Sequence, residues 1–386
     1  MLLKPYRVLD LTGPLGFAAG KVFADLGADV VKIEPPGGDA ARTEQNLYWV
    51  AANAGKRSIT LDLQSESGRQ TLRALAAKAD FLLESFPPGT LESWSVGYEV
   101  LRAENPGLIM VSITPFGQDG PYADFEASDL EIMALSGAMS LAGKEGGEPM
   151  RVSLPQSPYW VGVESVMGAL TALANRASTG HGQRVDVSAQ VAVLSALAHA
   201  PVFWDLNRVN PERAGIYITG RSVTGAKMTA LWRCNDGWIN FIIYGGAAGR
   251  HTNQQLVKWM AEKEMAPGWL QEIDWSDFAV TSLTQEQVDR LEAPIGNFFT
   301  TLTKREFLDG ALQREMLGYP VSTVEDIFAD RQLEARSFWS EVVDATSGRK
   351  MKSPGGFAII NGERLAAGTR APRIGEHNHE VLQEGK

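Results

Sequence analysis

The stretch YRVLDLTGPLGFAAGKVFADLGADVVKIEPPGG, Tyr6 to Gly38, decides the fold class. Val8, Leu9 and Leu11 form a short apolar run that stops at a Gly/Pro turn, as a buried strand does. The segment from Gly16 to Ala28 has helix composition and closes at Gly27. DVVKIE is then a second strand, ended by Pro35 and Pro36. Strand, helix and strand at this spacing imply two parallel strands joined by a right-handed crossover.

The same pattern recurs downstream. RSITLDL (57–63), a helix around GRQTLRALAAKA (68–79), DFLLESF (80–86) and LIMVSITPFG (108–117) repeat the unit. The expectation is an α/β, doubly wound parallel-sheet large domain. Gly13, Gly16 and Gly20 follow the first strand, but their spacing is not the G-x-G-x-x-G of a dinucleotide site. NAD binding is therefore not expected, although Glu34 stands where a ribose-binding acid would.

Past Asp129 the texture changes to helices rich in small residues, with GQRVDVS (182–188) as a further strand. KMTALWRCNDGWINFII (227–243) reads as a hairpin around an Asn-Asp-Gly turn. GRKMKSPGGFAI (348–359) returns to strand and loop. The division this implies is a large α/β domain over 1–200, completed by about 340–386. A smaller α+β domain covers 223–330, and 201–222 is a linker. Trp and Phe at helical spacing after Thr252 read as core.

A chain of 386 residues fits two domains, and a net charge of -10 argues against nucleic acid as a partner. One cysteine, Cys234, excludes a disulfide framework and a Cys-based metal site. Of five histidines only His377 and His379 are close together, and a surface tail is the reading preferred over a metal site. No targeting segment is read in Met1–Asp10, and no apolar run reaches the length of a membrane span. A soluble, cytoplasmic protein with no metal is expected.

RVSLPQSPYWVGVESVMGALTAL, Arg151 to Leu173, is a Pro-punctuated loop entering a helix, a setting suited to an active site. From Val152 to Val163 it carries no Asp, Glu, His, Cys or Lys.

VLDLTG, ADLGADVVKIEPPGGDAAR, GKRSITLDL, NPGLIMVSITPFGQDGPYAD, NRASTGHGQRVDVS and APRIGEHNHEVL occur in order along the whole chain. Together they resemble the class III CoA-transferases, the formyl-CoA transferase and carnitine CoA-transferase family. The resemblance implies an interlocked dimer and an aspartate that attacks an acyl thioester, giving an anhydride and then an aspartyl-CoA thioester. That aspartate falls on Pro158 here, so the chain itself is expected to supply no catalytic residue. Glu164 lies six residues on, roughly 9 Å along a helix. It is the first alternative carboxylate, followed by Asp129 and Glu131. Ser153 or Ser157 lacks a neighbouring His to activate it.

The resemblance also implies a CoA cradle of Arg42, Leu61, Phe86 and Trp94. Gln64, Ser85, Ser93 and Glu126 replace the Lys, Asn, Arg and Lys usual in the family, which removes charge-assisted hydrogen bonds. The favoured expectation is the non-nucleophilic subunit of a heteromeric CoA-transferase, partnered by a homologous Asp-bearing chain. It would serve CoA or acyl-CoA substrates, with no permanently bound cofactor. Resemblance to the aspartate-less type suggests succinyl-CoA as donor and benzylsuccinate as acceptor. The alternatives are a homodimeric transferase using Glu164 and a CoA-binding regulatory homologue. Racemase chemistry needs a His/Asp pair that the helix does not carry.

Overall fold

A computed structural model describes residues 2–384 except 44–46, 219–222, 345–346, 366 and 369. The chain divides into two compact units. The larger comprises Met1–Met139, Arg151–Pro211 and Arg331–Lys386; the smaller comprises Ser140–Met150 and Glu212–Asp330.

The larger unit holds six parallel strands: β1 (Arg7–Leu11), β2 (Asp29–Glu34), β3 (Arg57–Thr60), β4 (Phe81–Glu84), β5 (Ile109–Thr114) and β6 (Arg184–Ser188). Their order is β3-β2-β1-β4-β5-β6. This is the doubly wound arrangement, in which the strand order reverses between β1 and β4. Alternate side chains of each strand enter different cores. Val8, Val30, Phe81 and Val111 join one cluster, while Leu9, Val31, Leu82 and Met110 join the other. Burial on both faces explains why these strands read as continuous apolar runs. Each such side chain contributes about 1.5–3 kcal/mol.

The helix Ser157–Thr179 crosses the helix Phe17–Asp25 at Gly162. A Cβ there would lie 2.7 Å from Ala18 Cβ and 3.0 Å from Ala19 N, so the approach requires glycine. This contact sets the long helix beside the segment that follows β1. Gly180, at φ +74°, closes the helix.

In the smaller unit, the strands Leu231–Cys234 and Gly237–Asn240 pair around Asn235 and Asp236, with Cys234 opposite Gly237. Trp232, Trp259, Phe298, Phe299 and Phe307 all enter its core. The expected linker, 201–222, differs from what is observed. Its beginning is helical, within His199–Asn207, because Pro201 sits in the first turn where its missing N–H costs nothing. Residues 208–218 form irregular chain and a two-residue strand, and 219–222 lie outside the described residues. Residues 140–150, assigned from sequence to the large domain, belong to the smaller unit.

Of the pair His377 and His379, His379 is exposed, whereas His377 is held against β3. His377 Nδ1 accepts from Ser58 N at 3.1 Å and its own N donates to Ser58 O at 2.9 Å. Asn378 similarly pairs with Thr60. The C-terminal segment thus covers the open edge of β3, which would otherwise expose unpaired backbone groups. Among the described residues no group of three potential metal ligands converges, and no single helix is long and apolar enough to cross a membrane.

Candidate active site

Where β1 and β4 diverge, the strand ends open a crevice, the usual ligand position in an open parallel sheet. Its floor is built from charged residues that the strands bury. Asp10, on β1, accepts from Lys56 Nζ at 2.7 Å and from Thr12 Oγ1 and N at 2.6 and 3.0 Å. Lys56 also donates to Asn53 Oδ1 and Phe17 O, so its ammonium is fully satisfied. Burial pushes Lys56 down to about 8, against the pull of the Asp10 carboxylate. Lys32, on β2, donates to the carbonyl of Thr12. Gly13 N donates to Ser85 Oγ at 2.7 Å, tying the segment after β1 to the one after β4.

Above this floor lies a cavity of about 310 Å³ lined by Thr12, Lys32, Leu61, Gln64, Phe86 and Trp94, among others. Phe86 meets Trp94 edge-on, with ring centroids 5.4 Å apart. The structure therefore brings Leu61, Phe86 and Trp94 to one cavity. Arg42 does not join them. Its Nε and Nη2 grip both oxygens of Glu34 at 2.5 and 2.7 Å, Nη1 donates to Pro372 O, and the guanidinium stacks 3.7 Å from the Trp49 ring. Burial alone would raise Glu34, but bonds from Arg42 and Ser58 outweigh it and hold the carboxyl below its ordinary value. The cation expected to meet a CoA phosphate is instead half of an internal bidentate pair. Of the altered positions, Ser93 donates its hydroxyl to Thr90 O.

Glu84 ends β4, buried, opposite Leu11 and Ser112. Its carboxylate accepts from Phe86 N at 2.8 Å, fixing the residue that forms the cavity wall. Desolvation pushes the Glu84 carboxyl from 4.5 up to about 7. Between those two values the unfolded chain releases a proton that the native chain keeps, so stability falls as pH rises through the window. Replacing Glu84 by Gln keeps an acceptor for Phe86 N and removes this loss. Urea denaturation should show Glu84→Gln more stable than the parent at pH 8 by up to about 3 kcal/mol. The two should converge near pH 4.5, and a pH-independent difference would contradict this account.

Pro158 is buried in the first turn of the helix Ser157–Thr179. The amides of Gln156 and Ser157, which would otherwise be open at this end, both donate to Asp129 Oδ1 at 2.8 Å. Glu131 closes a capping box with Ser128. Glu164 lines a different groove, along β6, that shares no lining residue with the crevice. Ser157 Oγ is buried and bonded to no base among the described residues. Tyr48, which sequence reasoning passed over, packs its ring 5.7 Å from Tyr159 and donates to Pro14 O. Burial raises its phenol above the ordinary value. Asp10 and Lys32 were also passed over, yet a charge inside an otherwise apolar strand was the signal available in VLDL and VVKIE. The arrangement combines a crevice at the sheet's switch point with a helix start that has no carboxylate at 158.

A sequence profile of CoA-transferase family III matches residues 3–378. The chain is 34% identical to the BbsE subunit of succinyl-CoA:(R)-benzylsuccinate CoA-transferase of Thauera aromatica, over 98% of this chain and 93% of that one. It is 30% identical to a succinate–glutarate CoA-transferase of Agrobacterium fabrum, over 99% and 95%. A solved CAIB/BAIF family protein from Brucella suis superposes with a TM-score of 0.81 at 28% identity, covering 99% and 98%. Enzymes of this kind use CoA thioesters as substrates and hold no permanent cofactor. On its fold, its crevice and these matches, the chain belongs to CoA-transferase family III.

Proposed function

We propose that this chain is the non-nucleophilic subunit of a heteromeric, cytoplasmic class III CoA-transferase. Its partner is a homologous chain that bears the aspartate. The reaction moves CoA from succinyl-CoA to a carboxylic acid such as benzylsuccinate, the acceptor in the name of the BbsE relative.

The observation that carries this reading is Pro158, buried in the first helical turn with the neighbouring amides already held by Asp129. An acyl anhydride needs a carboxylate free to attack and then to leave. Proline has none. Asp129 is the carboxylate nearest this turn, which is the one observation favouring a self-sufficient homodimer. However, acylating Asp129 would remove the charge that stabilises two helix-terminal N–H groups.

A wide apolar surface supports the need for a partner chain. Tyr159, Val163 and Met167 are each more than half exposed and lie four residues apart along one helix face. Val191, Phe203, Trp204 and Leu206 are exposed on the two helices that follow. Exposed apolar surface on this scale marks an interaction site. An interlocked homologous chain would bury it, as obligate interfaces do over roughly 2,000–5,000 Å².

Native purification tests the reading. A second, homologous polypeptide should copurify, and changing its aspartate to Ala should abolish transfer. A monodisperse, fully active homodimer of this chain would refute the heteromer.

A further inference from the structure

The crevice at the end of β1 and β4 has aromatic residues in its lining. The Phe86 and Trp94 rings, set edge to face, give the cavity an apolar side, and Leu61 lines it with them and belongs to the same core. A planar heterocycle fits such a surface.

Charge is a different matter. CoA carries a 3′-phosphate and a pyrophosphate, and recognition of such groups rests on cations or on open backbone amides. Among the described residues lining the cavity, Lys32 is the one cation, against the carboxylates of Glu34, Asp39 and Asp62. Lys32 is 1% exposed and donates to Thr12 O, with Asp39 Oδ2 at 3.7 Å and Asp10 Oδ1 at 4.0 Å. Its charge is already balanced inside the protein. Arg42 is balanced by Glu34. The amides of the adjoining turn are also engaged: Gly13 N donates to Ser85 Oγ, and Gly16 N and Phe17 N donate to Gly13 O. Gln64 contributes no charge, and beside it Asp62 adds an exposed carboxylate at the mouth.

The crevice thus offers a ring-binding wall with a net acidic lining. A polyphosphate entering it would find no open cation among the described lining residues and would meet the exposed Asp62 carboxylate, and like charge at short range opposes binding. We propose that this chain contributes no CoA site, so that the assembly binds one CoA per pair of chains, on the aspartate-bearing partner. This inference rests on the heteromer reading. It adds that the chain has lost polyanion recognition together with the nucleophile. Its role in turnover is then to complete and shape the partner's site.

Calorimetric titration of the coexpressed, copurified assembly with CoA tests it. One CoA per pair is expected. A Gln64→Glu change in this chain should leave the CoA dissociation constant within about twofold, because residue 64 faces a cavity that CoA does not enter. Gln64 is exposed and its backbone contacts do not depend on the side-chain amide, so the variant should fold. Two CoA per pair, or a weakening of roughly tenfold or more in Gln64→Glu, would overturn the proposal. Either result would leave the heteromer standing, since that reading is judged separately by the second polypeptide and the need for its aspartate.

Discussion

Incubated alone with succinyl-CoA and benzylsuccinate, the chain is expected to transfer CoA no faster than the uncatalysed background. Relative to the assembled enzyme the deficit should be on the order of 10⁴-fold or more, the scale on which removing a covalent nucleophile acts. The reason is local. Pro158 has no carboxylate, Ser157 Oγ meets no base among the described residues, and Glu164 faces the groove along β6. Asp129 is fixed by two helix-terminal amides. Hydroxylamine or borohydride trapping in the presence of succinyl-CoA should therefore modify no residue of this chain. A stoichiometric adduct on Asp129 or Glu164 would establish a homodimeric enzyme instead. Pro158→Asp alone should remain inactive, because the cations of the crevice, Lys32 and its neighbour Arg42, stay internally paired. Measurable turnover by that variant would show that only the nucleophile had been lost.

The second large effect concerns stability. Lys56→Met should destabilise the larger unit by about 3–5 kcal/mol, since it leaves the Asp10 carboxylate buried beside only one remaining cation. Lys56 and Asp10 both have fully buried side chains, and Lys32 stands 4.0 Å from Asp10. Against a typical total of roughly 5–15 kcal/mol this is a severe loss. The urea midpoint should fall by more than about 1 M. The double variant Asp10→Asn/Lys56→Met should cost less than the sum of its single changes, because no unpaired charge remains. Gly20 takes part in the same arrangement, as a Cβ there would stand 2.1 Å from Asp10 Oδ2. Lys350→Ala removes an ion pair with Glu341 whose side chains are 68% and 57% exposed, and the midpoint should not move. An equal effect of Lys350→Ala and Lys56→Met would contradict this distinction between buried and solvated pairs.

Sequence by itself determined the fold class. The run from Val8 to Leu11, the helix closed at Gly27 and the strand stopped at Pro35 each carry a local periodicity and a stop signal. Parallel strands joined by short crossovers leave few topologies open. That residue 158 is a proline, with no carboxylate, was legible for the same reason, because the identity of one residue needs no coordinates. The hairpin at Asn235 and Asp236 was likewise a local turn preference.

What only the tertiary structure decided depends on residues far apart in the chain. Arg42 reads as a ready cation, yet Glu34 on β2 and Pro372 near the C-terminus take its donors, the latter 330 residues away. The helix His199–Asn207 runs through Pro201, where the expected linker began, because one proline marks a break or a first turn according to which neighbours continue the helix. Asp129 and Glu164 looked like similar alternatives on a linear scale. Packing placed one against the amides of Gln156 and Ser157 and the other along β6. A charge belongs to its residue, but its availability depends on the partner that folding supplies. The sequence therefore named the ionisable groups around the crevice, and the fold determined that Lys32 and Arg42 are already paired.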